Sequence, residues 1–332
     1  MSSKKLLVIF GATGNQGGSI IDLVLSTPSL SSKYSLRGIT RSTTSPKAQS
    51  LTSQGVEMSR AELDDPDSLT SALQGAHGVF GITDFWSLMS KDQEIAQGKN
   101  IFEAAQKTGV KHVVFSALPF AEKLTQGELK YVEHFDSKAL VKEYIEANRT
   151  KTKTKNPSGG ADGGGGGGMI ASYFMPAMFL QEAQKQIRPN PQNANKPTIA
   201  LPFPDENVAW PMIDVRSDTG KYVMGLFEGG ERADGVSVHG VSTWTTPKKF
   251  VEAVSKGTGK EVDFVPLPME TFVGFLPDAV KKELGEMMDL IGRWSYFGKG
   301  QENEQEGHDE WLAKGTEKVN LEEWVGKTKF EI

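Results

Sequence analysis

The sequence predicts an α/β fold, a doubly wound parallel sheet of Rossmann type, on three observations. From Lys5 onward, short β-branched or aromatic runs alternate with helical stretches. A glycine-rich turn, GATGNQGG, stands where the first run ends, and the runs are separated by the length that crossover helices need.

The elements follow in order. LLVIFG is the first strand and QGGSIIDLVLS its helix; YSLRGIT, the helix SPKAQSLTSQ and the strand VEMSR come next. DPDSLTSALQG (helix), AHGVFGIT (strand), KDQEIAQGKNIFEAAQKTG (helix) and VKHVVFSAL (strand) bring the strands to five before residue 118. Such alternation places helices on both faces of the sheet. A helix is expected over roughly 127–148, where Tyr131, Phe135, Leu140, Val141, Tyr144 and Ile145 recur at spacings near three and four. RTKTKTKNPSGGADGGGGGG then interrupts the pattern with residues that bury no apolar surface and cost much backbone entropy to order, an exposed insertion over 151–168.

MIASYFM resumes as a sixth strand, with Pro176 in the first turn of a helix PAMFLQEAQKQI. Beyond it come a loop, RPNPQNANKP, and a strand-like NVAWPMIDV. The helix SDTGKYVMGLFEGG, the strand GVSVHGV and the helix TPKKFVEAVSKGTG follow. VDFVPLP, an amphipathic helix around FLPDAVKKELGEMMDLIGRW and an acidic, Trp-containing tail close the chain.

Composition narrows the function. At 332 residues, with 37% hydrophobic and 24% charged residues, the chain can bury a sizeable core. A net charge of −5 with no basic stripe along a helix argues against direct nucleic-acid binding. Zero cysteines exclude disulfides, thiolate nucleophiles and Cys-type zinc sites, and no His/Asp/Glu group has metal-ligand spacing, so no metal is expected. The apolar stretch at the start is too short for a signal peptide or membrane span, which makes the cytoplasm, and the nucleus with it, the expected compartment.

GATGNQGG carries the chemistry. Gly11, Gly14 and Gly17 at a strand-to-helix turn let the backbone approach a pyrophosphate, and the helix N-terminal N–H groups attract that anion. At the end of the second strand, GITRSTTSPK offers no acid for a ribose 2′-hydroxyl. Arg41 and Lys47 instead suit a 2′-phosphate, so NADP(H) is expected rather than NAD(H).

With GATGNQGG, TR after the second strand, ELDDPDSL, GITDFW, HFDSKALVKEYI, WPMIDVRSDTGKYV and VSKGTGKEVDFVPLP in order, the sequence resembles the NmrA-like family of atypical short-chain dehydrogenases/reductases over roughly residues 4–275. The resemblance implies an NAD(P)-binding Rossmann domain, here 1–150 and 169–180, and a smaller, mostly C-terminal α+β substrate or partner domain over 181–332. Segments near 208–228 and 236–241 are expected to return to the Rossmann domain. By position it implies pyrophosphate contacts from Gly11, Thr13, Gly14, Asn15, Gln16 and Gly17, and adenosine-phosphate contacts from Arg41 and Lys47. Glu62 and Leu63 would lie beside the adenine; Thr83, Asp84 and Phe85 would line the path to the nicotinamide; Tyr173, Phe174 and Met175 would close over its ring. Phe85, Trp86, Phe174, Met175 and Met178 would wall the substrate pocket.

Short-chain reductases in general use a Tyr-x-x-x-Lys pair on a helix and a Ser from the preceding strand end for proton transfer. Here Ser116 ends the fifth strand and Lys138 is kept, but HFDSK puts His134 in the tyrosine position. The i, i+4 spacing leaves His134 and Lys138 on one helix face, so either can stand as the acid. Tyr131, three residues earlier, is a displaced alternative. Two functions stay open: an NADPH-dependent reductase of a small carbonyl or conjugated, aryl- or quinone-like substrate, and an NADP(H) redox sensor acting on a regulatory protein partner such as a transcription factor.

Overall fold

Six strands alternate with helices over the first half of the chain: β1 (Lys5–Ile9), β2 (Tyr34–Thr40), β3 (Glu57–Arg60), β4 (Gly78–Gly81), β5 (His112–Ser116) and β6 (Ile170–Pro176). Beyond them come β7 (Met178–Phe179), β8 (Arg188–Asn190), β9 (Asn193–Leu201), β10 (Trp210–Ile213), β11 (Ser237–Gly240), β12 (Thr243–Thr245) and β13 (Asp263–Pro266). In the computed structural model, which describes residues 3–150, 168–190 and 193–331, seven of these strands form one sheet in the order β11-β6-β5-β4-β1-β2-β3. Every pairing in it is parallel. The strand order reverses between β1 and β4, the switch point at whose carboxyl ends doubly wound sheets take ligands.

The central strands read as near-continuous apolar runs because helices cover both faces. All four residues of β4 and all five of β5 are buried, as are Leu7, Val8 and Ile9 of β1. The helix Asn15–Ser26 lies against Val215–Gly229, where the Gly220 N–H donates to Ser19 Oγ at 2.8 Å. A chain segment 200 residues downstream is thereby locked onto the helix that leaves the glycine turn. Two three-stranded sheets lie beyond the main one, β12-β10-β7 and β13-β9-β8.

Three local expectations are corrected. Pro176 is the last residue of β6 and starts no helix; the next helix is Leu180–Lys185. RPNPQNANKP is not a plain loop: it supplies β8 and the start of β9, which pair antiparallel despite the proline and asparagine content. The helix expected from about residue 127 begins at Glu133, because Gln126 and Gly127 take positive φ (54° and 84°), and no local side chain caps it. Its first amides are satisfied from far away in the sequence. The insertion at 151–168 falls almost wholly outside the described residues.

The C-terminal segment returns to the carboxyl end of the main sheet. Helix Lys281–Asp289 runs into a π-turn at Leu290–Trp294, and Tyr296 Oη then donates to the carbonyl of Pro176 at 3.1 Å. Further on, Gln305 Nε2 donates to the carbonyl of His239 on β11. Among the described residues, no helix is long and apolar enough to cross a membrane.

Candidate functional site: the crevice over β1, β4 and β5

The glycine turn between β1 and the helix Asn15–Ser26 is built for close approach. Gly11 has φ +62°, a left-handed conformation that side chains avoid, and its carbonyl accepts the Gly14 N–H at 2.9 Å. A Cβ on Gly17 would stand 2.4 Å from the Gly11 oxygen and 2.6 Å from its carbonyl carbon, so only glycine lets the helix start this near the turn. No side chain caps the helix, and its first turn holds no acid. Gly11, Gly14 and Asn15 are exposed. Uncapped N–H groups at an open helix N-terminus form a ready anion site, and this donor set suits a dinucleotide pyrophosphate.

Arg41 and Lys47, just past β2, are exposed and have no ion-pair or hydrogen-bond partner among the described residues. Two unpaired cations beside the turn suit an added phosphate. Glu62 is held by Arg60 at 3.2 Å, and the Leu63 carbonyl accepts from Asn100 Nδ2 at 2.9 Å, which fixes the loop after β3. Arg216, whose role the sequence did not suggest, donates to the Gly14 carbonyl at 3.2 Å and pairs with Asp22. It braces the turn from outside.

Two further groups meet at the strand ends. Ser116, the last residue of β5, donates from Oγ to Gln16 Oε1 at 2.9 Å, joining the expected serine to the glycine turn. Thr83, after β4, donates from Oγ1 to Glu94 Oε1 at 2.8 Å, and the same carboxylate takes Ser137 Oγ and Lys138 Nζ. Glu94 is 0% exposed, so Lys138 is held against a desolvated charge. Nothing in the sequence singles out Glu94. It reads as one more acid in the first turn of the helix Lys91–Lys107, where acids are ordinary.

His134 sits beside this cluster in an aromatic shell. Its ring lies 5.0 Å from Trp86, 5.9 Å from Phe85 and 4.8 Å from Phe135, and its Nδ1 pairs with Glu283. Phe85 is buried, whereas Trp86 is 46% exposed at the rim and Asp84 is exposed beside it. Glu283 Oε2 also accepts the Glu133 N–H at 2.8 Å, and Glu286 Oε2 accepts the N–H groups of Lys130 and Tyr131 at 2.7 Å each. Helix Lys281–Asp289 thus supplies the cap that the His134 helix lacks.

Tyr173 and Phe174 are buried in β6, where Phe174 stands opposite Ser116 in the register with β5. Because β6 runs on to Pro176, both stand in mid-strand at 0% exposure and point to opposite faces. Tyr173 Oη donates to Glu146 at 2.7 Å, and burial, then that bond, push its hydroxyl far above the phenol range. Phe174 packs near Tyr222. Met175 is buried toward the strand end, and Met178 Sδ accepts from Trp210 Nε1 at 3.1 Å in the neighbouring small sheet. Tyr131 is 44% exposed under Lys282 Nζ, 4.6 Å from its ring centre. The other tyrosine hydroxyls bond Glu228, Glu103, Glu146, Asp309 and the Pro176 carbonyl, so none of the six tyrosines bonds Ser116 or Lys138. Among the described residues, no three His, Cys, Asp or Glu side chains converge as a metal site.

The NmrA-like family profile matches residues 3–328. An NmrA-like family domain-containing oxidoreductase of Aspergillus hancockii is 29% identical over 309 residues, covering 90% of this chain and 86% of that one. A second such oxidoreductase, from a Cladobotryum species, is 28% identical over 267 residues, 79% of this chain and 76% of its own. Among solved structures, the negative transcriptional regulator NmrA in complex with NADP superposes with a TM-score of 0.77 at 17% identity, covering 98% of this chain and 95% of that one. The Citrobacter triphenylmethane reductase complexed with NADP(H) does so with a TM-score of 0.67 at 18% identity, covering 96% and 98%. At such identities the two superpositions establish the fold.

Proposed function

We propose, since this chain belongs to the NmrA-like family, that it binds NADP(H) across the β1–β4 crevice and uses it to reduce a small carbonyl or conjugated, aryl- or quinone-like substrate. The observation that carries the reading is the convergence of Ser116, Gln16, Thr83, Glu94 and Lys138 at the ends of β1, β4 and β5. Glu94 holds Lys138 where it can meet a nicotinamide ribose, a contact that a pure nucleotide binder also uses, so it is Ser116 at the end of β5 that favours turnover.

In this reading the turn Gly11–Gly17, with Thr13 and Asn15, holds the pyrophosphate, and Arg41 and Lys47 hold the 2′-phosphate. Leu63 borders the adenine, while Thr83, Asp84 and Phe85 border the nicotinamide. When bound, the reduced cofactor supplies hydride equivalents to the acceptor carbon. Lys138, oriented by Glu94, binds the nicotinamide ribose; Ser116 orients the acceptor oxygen, and His134 or Lys138 protonates it. Trp86, with Phe85 behind it, offers a flat apolar face to an aryl or quinone ring. Solved structures of the same fold are complexed with NADP, with NADP(H) and with NAD, which supports a nicotinamide dinucleotide here; Arg41 and Lys47 carry the preference for the phosphorylated form.

A second reading is an NADP(H) sensor that regulates a protein partner. It is favoured by one observation, that among the described residues no tyrosine hydroxyl bonds Lys138 or Ser116. Purified protein mixed with NADPH and a panel of quinones, aryl ketones and aldehydes separates the two. Loss of reduced-nicotinamide absorbance that Lys138→Ala abolishes while NADPH still binds supports the reductase; saturable NADPH binding with no consumption on any acceptor supports the sensor.

A further inference from the structure

We infer that His134 and Glu283 form an acid dyad that replaces the missing tyrosine, with Glu283 as the residue that orients the histidine. The inference rests on the reductase reading and chooses between the two acids it leaves open. Lys138 Nζ is committed to Glu94, itself wholly buried and already accepting two hydroxyls. His134 is differently placed. Its Nδ1 pairs with Glu283, while Nε2 makes no hydrogen bond among the described residues and is not one of the sealed polar atoms. With the side chain 11% exposed beside the rim residue Trp86, Nε2 is the nitrogen left open to solvent.

A carboxylate on one ring nitrogen selects the tautomer that donates to it and leaves the other nitrogen to take up and release a proton. Glu283 is 6% exposed and held in place by the Glu133 N–H, so the pair is rigid. The step balances as follows. The acceptor carbon receives a hydrogen with two electrons from the reduced nicotinamide, and the C=O π bond opens. The His134 Nε2–H proton then goes to the oxygen. A carbonyl gives an alcohol; a quinone, which takes the same hydride and the same proton across its conjugated dione, gives a hydroquinone; in either case the nicotinamide leaves oxidised, the imidazole is left neutral, and solvent at the exposed edge of the ring returns its proton. Glu283 keeps its bond to His134 Nδ1 throughout and touches neither cofactor nor substrate.

Glu283 could equally be only a helix cap, and Glu286 supplies the control. It caps Lys130 and Tyr131 at the same helix start without touching His134. The experiment compares wild type, Glu283→Gln, Glu286→Gln and His134→Gln with NADPH and menadione, and adds ring-nitrogen NMR on protein labelled in its histidines. The dyad predicts that Glu283→Gln lowers kcat by about 100-fold, the scale of a lost general acid, with menadione KM and NADPH affinity nearly unchanged. It further predicts that Glu286→Gln stays near wild type, and that Glu283→Gln costs nothing further once His134 is Gln. The wild-type His134 signal, assigned by its loss in His134→Gln, shows a proton on Nδ1 that Glu283→Gln perturbs and Glu286→Gln does not. Equal kinetic losses for the two glutamate variants, or an unprotonated Nδ1 in wild type, overturn the inference while leaving the reductase reading in place. If wild type consumes no NADPH with menadione, that reading fails for quinones and the ring signals alone decide: Nδ1 protonated and dependent on Glu283 upholds the orientation, and any other pattern overturns it.

Discussion

Replacing Glu94 tests how the crevice is held together. The carboxylate is fully buried and accepts Thr83 Oγ1 at 2.8 Å together with Ser137 Oγ and Lys138 Nζ. Glu94→Ala leaves Lys138, a residue only 9% exposed, without its counter-charge, and breaking one side of a buried pair costs about 3–5 kcal/mol. Ser137 adds little, because a helical Ser can turn to a carbonyl within its own helix, whereas the buried Thr83 hydroxyl loses its acceptor at about 1 kcal/mol more. For a chain of this length, at roughly 2 °C per kcal/mol, the expected fall in Tm is about 8–12 °C. The assay is urea unfolding at neutral pH, run beside Glu94→Leu and the double variant Glu94→Leu/Lys138→Met. Removing both charges together should recover most of the loss, since an apolar pair of similar volume replaces an ion pair at little cost. Turnover should stay abolished in the double variant, because the lysine is gone. A Glu94→Ala cost below about 1 kcal/mol, or no recovery in the double variant, would refute the claim that this carboxylate holds Lys138.

Three shorter predictions follow from the same structure. Arg41→Ala should weaken NADPH by about 1.5–3 kcal/mol, the scale of a charge-assisted bond, and leave NADH nearly unchanged; equal losses in a fluorescence titration would sink the 2′-phosphate assignment. In Gly17→Ala the new methyl would meet the Gly11 oxygen at 2.4 Å, so the turn must open, at about 1–3 kcal/mol of stability and with weaker NADPH binding; unchanged affinity by calorimetry would contradict it. Burial lowers His112 and His239 from 6.5 to about 3, so the unfolded chain takes up these protons first as pH falls. Their contribution is therefore complete above pH 6.5 and lost progressively from there toward pH 3, about 2 kcal/mol for each at pH 5. His239→Gln should remove its share of that slope in urea midpoints compared at pH 7.5 and pH 5; an unchanged slope would show that His239 is not buried neutral.

The sheet was legible because periodicity and turn chemistry are local. LLVIFG, AHGVFGIT and VKHVVFSAL are apolar on both faces for the reason the fold shows, that helices cover both, and Gly11 and Gly17 sit where φ and space demand glycine. What stayed hidden depends on partners distant in the chain. The helix carrying His134 begins at Glu133, which no local capping residue announces, because its cap is a carboxylate 150 residues away. Glu94 and Glu283 look like ordinary acids on amphipathic helices, and only the folded chain turns them inward toward Lys138 and His134. The family resemblance puts Tyr173, Phe174 and Met175 in a post-strand loop that closes over the nicotinamide. The strand continues to Pro176, and both rings were drawn into the core.

The most direct test of the account is a calorimetric titration of the wild-type protein with NADPH and, separately, with NADH. A dinucleotide site at the glycine turn, with the exposed Arg41 and Lys47 proposed as its 2′-phosphate contacts, predicts saturable binding of one NADPH per chain and a weaker fit for NADH, which lacks that phosphate. No saturable heat with either nucleotide, or tighter binding of NADH than of NADPH, would contradict it.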